Sequence, residues 1–195
     1  GSMSGSPMKK CNQVLQSIFG SEHCNSITII RFGSDVAEPV TYTKDEKNSK
    51  LTEQNADLGG TNFTGPIKKL LETLKSRQTA QTHGQFAIFM SDGECWDDPT
   101  PLFRDMEETL CLTQCPLLSV AITTNVDPKI MVGMSRLYGD TPMILIKNDD
   151  EATDYEEKIM GNVPSIGFVQ DIFEIKFLNA ASREVLATKE LKYKR

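Results

Sequence analysis

The sequence predicts an α/β fold: a doubly wound, mostly parallel sheet with helices on both faces, closed by a C-terminal β-hairpin. Three observations carry this reading. Short apolar runs of strand length alternate with amphipathic stretches of helical period, and such alternation implies parallel strands joined by helical crossovers. The run Gln85 to Met90 is almost continuously apolar, as a strand covered on both faces must be. The last 25 or so residues instead alternate in and out around a short polar turn, which is a hairpin pattern.

The elements follow in order. Val14, Leu15, Ile18 and Phe19 set a helix over Met8–Phe19, and Gly20 stops it. Ser26–Phe32 reads as a buried strand, with Glu38–Thr43 as its hairpin partner across the Gly33-Ser34-Asp35 turn. Lys44–Asp57 is charged and poor in apolar residues, so it is expected to be the most mobile stretch. Ile67, Leu70, Leu71 and Leu74 make the stripe of a helix over Gly65–Leu74, where Pro66 is tolerated because a first-turn N–H has no helical partner. Gln85–Met90 is expected at the centre of the sheet. Then come a helix over Pro101–Cys111, a strand over Leu117–Ile122, a helix over Pro128–Leu137, a short strand over Met143–Ile146 and a helix over Ala152–Met160. Asp171–Asn179 and Glu184–Tyr193 form the terminal hairpin. The expected division is one α/β domain over residues 3–162, with 163–195 a hairpin extension packed on it.

Composition narrows the function. The 195 residues carry 21 Lys+Arg against 27 Asp+Glu, a net charge of -6, with no basic block. Neither a phosphate backbone nor an anionic membrane surface is an expected partner. The five cysteines form an odd set without a C-x-x-C pair, which fits a reducing, cytoplasmic setting. No apolar stretch reaches the length of a membrane span, and Gly1-Ser2 read as a cloning remnant.

Ligands of open α/β sheets bind outside the carboxyl ends of the strands. Three loops expected there combine glycine with hydroxyl or carboxylate oxygen: Met3-Ser4-Gly5-Ser6, Gly59-Gly60-Thr61-Asn62 and Ser91-Asp92-Gly93-Glu94. Hard divalent cations take such oxygens, Mg²⁺ at about 2.0 to 2.1 Å. Each loop also has a plainer reading: a linker, a helix N-cap and an ordinary turn. Their order and spacing, together with ITIIRFGSD, LGGTNFTGPIKKLL and FAIFMSDGE, resemble the von Willebrand factor A domain from Met3 to about Met160. The MSDGE form of the third loop resembles intracellular members of that family.

The resemblance implies a metal-ion-dependent adhesion site. Its ligands would be Ser4, Ser6, Thr61 and Asp92, holding Mg²⁺, or Mn²⁺ or Ca²⁺, with one position open for an exposed Asp or Glu of a protein partner. The implied role is interaction and not catalysis. A metal-independent scaffold and a metal-assisted phosphohydrolase using Asp92 are the alternatives. The motif departs from the family at its first Asp, which falls on Ser2, and the family's central first strand would lie before residue 1. The slot between Ile27–Phe32 and Gln85–Met90 is then expected to close by contraction, by the terminal hairpin or by self-association. Thr61 and Asp92 are expected on exposed loops.

The remaining reactive residues point less clearly to chemistry. Cys95 reads as a loop thiol or a nucleophile, and His23 and His83 as solvated residues at the opposite edge. Glu94, Asp97 and Asp98 read either as an acidic rim to the site or as a charged face for solubility. Gly59-Gly60 lies in neither a G-x-x-x-x-G-K-S/T nor a G-x-G-x-x-G frame, so nucleotide binding is not expected.

Overall fold

The computed structural model describes residues 5–21, 24–44, 51–77, 84–123, 126–138, 141–146, 157–159, 161–162, 170–178 and 185–194. The chain divides into two units, Gly1–Pro164 and Ser165–Arg195. The first runs α1 (Ser6–Gly20), β1 (Ser26–Ile29), β2 (Val40–Thr43), α2 (Thr64–Arg77), β3 (Ala87–Ser91), a 3₁₀ turn (Thr100–Leu102), α3 (Phe103–Thr113), β4 (Leu117–Ala121), α4 (Pro128–Ser135) and β5 (Ile144–Leu145). The second holds β6 (Gln170–Leu178) and β7 (Val185–Lys194), paired antiparallel in a sheet of their own.

β3, β4 and β5 form a parallel sheet with β4 in the middle, Ala87 opposite Leu117 and Val120 opposite Ile144. Successive strand residues point to opposite faces, and β4 displays this directly. Leu117 and Ala121 pack with Ile67, Leu71 and Leu74 of α2, Met106 and Leu110 of α3, and Ile130, Met131 and Met134 of α4. Leu118 and Val120 pack on the other side with Val14 and Ile18 of α1 and with Ile159. All five β4 residues are buried, so the core is double-sided and the α/β class holds. At about 1.5 to 3 kcal/mol for each large apolar side chain removed from water, these two clusters dominate the stability of the unit.

Two expected placements are corrected. β3 is not central: its strand partner among the described residues is β4 alone, which makes it an edge. Ile27–Phe32 does not join the parallel sheet, because β1 pairs antiparallel with β2, from Ser26 opposite Thr43 to Ile29 opposite Val40. The hairpin partner read at Glu38–Thr43 is therefore right and the sheet assignment of β1 is not. Backbone pairing requires strands about 4.8 Å apart, and a strand that would pair with both β1 and β3 is not among the described residues. Side chains bridge the region instead. Phe32 lies 5.1 Å from Phe89, and Phe63 lies 4.8 Å from Phe89, ring centre to ring centre. Ile27 and Ile88 both pack against the α1 cluster. The expected contraction, which would pair β1 with β3, is not seen among the described residues, and β6 has β7 as its strand partner.

The connection expected to be most mobile is pinned over residues 51–57. Leu51 is buried, and the Gln16 side chain donates to its carbonyl at 3.0 Å. Asn12 makes two bonds to Gln54, donating to its carbonyl at 2.9 Å and accepting its N–H at 2.7 Å. One carboxamide thus offers the donor and acceptor that a neighbouring strand would supply. Arg31 pairs with Asp57 at 2.8 Å. No helix among the described residues is long and apolar enough to cross a membrane. His23, His83 and Ser4 lie outside the described residues, as does the helix expected over Ala152–Met160 apart from helical residues 157–159.

Candidate metal site at the loop face

Asp92 follows β3 directly. The Ser91 carbonyl accepts the Ile122 N–H at 2.9 Å, the Asp92 carbonyl accepts the Thr123 hydroxyl at 2.9 Å, and the Gly93 N–H donates to Ser91 Oγ at 3.3 Å. This turn is fixed to the ends of β3 and β4, and Asp92 is only 4% exposed. The expectation of an exposed Asp92 is therefore corrected: the strand pairing continues up to it and holds it inside. Asp92 lies close enough to α1 for its charge to act on Cys11. Burial first, and then the negative charge of Asp92, push the Cys11 thiol up to about 12. Ser6 is exposed and opens that same helix, behind Gly5 with φ 78°.

The Thr61 loop is stitched to its neighbours by backbone bonds. Ser34 donates to the Leu58 carbonyl at 2.8 Å, Asn62 to the Gly33 carbonyl at 3.0 Å, and Trp96 to the Thr61 carbonyl at 2.9 Å. The Gly60 N–H reaches Ser34 Oγ at 2.8 Å. Gly60 admits no side chain, since a Cβ there would sit 2.6 Å from Cζ3 of the Trp96 ring. Gly59 holds φ 74°, a conformation that favours glycine. The pair of glycines before Thr61 thus has a local reason: one turns the chain and the other lets the indole lie close.

Sequence reasoning placed Asp97 in an acidic rim or a charged face and missed its role as a helix cap. Its two carboxylate oxygens accept the N–H groups of Phe63 and Thr64 at 2.7 and 2.8 Å, capping the start of α2 from another loop. The Cys95 thiol donates to Asp97 Oδ1 at 3.0 Å. Burial and then the bond to Asp97 push this thiol up to about 12, so Cys95 is the loop thiol and is not activated as a nucleophile. Glu94 and Asp98 remain exposed.

Ser6 at the start of α1, Thr61 in the glycine loop and Asp92 just after β3 each carry a side-chain oxygen. Hydroxyls with one carboxylate suit a hard cation that keeps part of its water shell. No group of three or more His, Cys, Asp or Glu side chains able to hold a metal occurs among the described residues, so soft or multi-carboxylate coordination has no counterpart in this set.

A double-faced parallel sheet with hydroxyl-bearing loops and a buried Asp at its carboxyl edge defines an α/β domain whose loop face is the place to look for a ligand. Two von Willebrand factor A domain-containing proteins of Dictyostelium discoideum are 26% and 27% identical to the chain, over 185 and 191 residues. Each alignment takes in 90% of this chain but only 19% and 21% of the relatives, so the chain spans about a fifth of the length of the curated relatives it matches. No family model matches it. The alignments and the fold together support a von Willebrand factor A domain.

Proposed function

We propose that the domain is a protein-interaction module whose loop face binds an Asp or Glu side chain of a partner through a divalent cation, Mg²⁺ before Mn²⁺ or Ca²⁺. Hydroxyls of Ser4, Ser6 and Thr61 and the Asp92 carboxylate would hold the ion, which supplies an open coordination position. The observation that carries the reading is the bond from the Trp96 N–H to the Thr61 carbonyl, which ties the Thr61 loop to the loop that begins at buried Asp92. The name shared by the two relatives supports an interaction domain in general terms. All five cysteines are free thiols, in keeping with a reducing, cytoplasmic setting.

The test is calorimetric titration of MgCl₂ into the protein and into Asp92→Asn and Thr61→Ala, with folding checked by circular dichroism. Saturable heat that disappears in Asp92→Asn and weakens in Thr61→Ala is expected. Equal heats from the protein and Asp92→Asn would leave a metal-independent scaffold, in which the loops serve only to cap helices.

A further inference from the structure

Trp96 is the one tryptophan of the chain, and 71% of its surface is open to solvent. Its position is nevertheless tightly set. Its N–H ends on the Thr61 carbonyl at 2.9 Å. The next residue, Asp97, is locked to the first turn of α2 by two bonds of 2.7 and 2.8 Å. The Cζ3 and Cε3 side of the ring rests at Gly60, where no Cβ fits. An aromatic side chain held this way loses little freedom when a partner covers it, which is what makes exposed tryptophans strong anchors.

Acidic residues flank Trp96 in the sequence. Glu94 and Asp98, two residues to either side, are exposed. From Gln78 to Phe103 the sequence has no Lys or Arg. The Asp98 carboxylate accepts the hydroxyl and N–H of Thr100 at 2.6 and 3.0 Å, and these bonds hold its carboxyl below the usual range, with Lys129 adding a smaller attraction. An aliphatic partner group would have to be desolvated beside two carboxylates. A cationic one is attracted both by them and by the negative face of the ring.

We propose that Trp96 is the docking point for a basic side chain, arginine or lysine, of a partner protein, with Glu94 and Asp98 supplying the opposite charge. This contact does not depend on the cation proposed for Asp92.

Because Trp96 is the sole tryptophan, its emission reports on the site directly. The probe is acetyl-Gly-Arg-Gly-Arg-Gly-amide, with the same peptide carrying citrulline, uncharged and of equal shape, as the comparison. A saturable change in emission with the arginine peptide and none with citrulline is expected. Raising salt from about 0.05 to about 0.5 M should weaken it about fivefold. The double substitution Glu94→Gln, Asp98→Asn should weaken binding about fivefold or more, while Glu53→Gln, Glu72→Gln, which removes the same charge elsewhere, should not. By anisotropy of a labelled peptide, Trp96→Ala should lose binding and Trp96→Phe should retain part of it. Equal response to both peptides would mean an apolar or shape-based contact and overturn the proposal. So would equal loss in the two double variants, or undiminished binding in folded Trp96→Ala.

Discussion

Both carboxylate oxygens of Asp97 are committed to the N–H groups that open α2. Burial opposes its charge, but the bonds from Thr64, Phe63 and Cys95 together outweigh that and hold its carboxyl at about 2, below the ordinary 3.8. A folded-state value below the unfolded one means the stabilisation is complete above about pH 4 and is lost as pH falls through about 2. Asp97→Ala is expected to cost about 1 to 2 kcal/mol at neutral pH, as loss of a helix cap does. In urea unfolding, the gap between the two proteins should close between pH 4 and pH 2; a gap constant over that range would mean the carboxylate charge is not what matters. The thiols make a second test. Iodoacetamide at pH 8 should label exposed Cys111 first, and leave Cys11 and Cys95, both pushed up to about 12, unlabelled until the protein unfolds. Peptide mapping reads the order, and early labelling of Cys95 would contradict its bond to Asp97. The sequence shows Asp97 only as one acid among several, because its partners lie 34 and 33 positions away. Asp127, by contrast, caps α4 through Lys129 and Ile130, two and three residues on, and a cap so local leaves a readable pattern.

Helices and strands were legible wherever a face is buried. The stripe Ile67, Leu70, Leu71 and Leu74 became the packed side of α2, and the run at Leu117–Ile122 became the fully buried β4. What side-chain pattern cannot record is the neighbour along the hydrogen-bonding direction. Ile88 packs toward α1 and Phe89 toward the opposite cluster, so β3 has two apolar faces whether or not a strand lies beside it, and an edge reads like a centre. Its three half-buried residues Ala87, Ile88 and Met90 mark the difference only in three dimensions. Residues 51–57 were misread for a related reason. Their anchors, Asn12 and Gln16, lie one turn apart on α1 and resemble an ordinary polar face until the segment they hold is in view. The glycine pair before Thr61 was legible because a turn and a close approach depend on few residues, whereas the burial of Asp92 rests on strand pairing and was not.

The larger unit leaves one edge of β3 without a strand among the described residues, and an edge with apolar residues on both faces is a template for pairing. The hairpin of the smaller unit pairs its own two strands. A second copy of the chain is one source of a strand for that edge. Light scattering over a range of concentrations should give a mass rising toward twice that of the single chain. A monomer mass at every concentration would show that the edge is tolerated bare.

The Gln54 N–H ends on the Asn12 side chain, so its exchange with deuterated water cannot proceed while that carboxamide stays in place. The amide is therefore a clock for the docking of α1, one that runs without reference to any backbone ladder. Gln54 leads on to Leu58, whose carbonyl accepts the Ser34 N–H, so exchange at this one position reads the docking of the segment that runs from α1 toward the Thr61 loop.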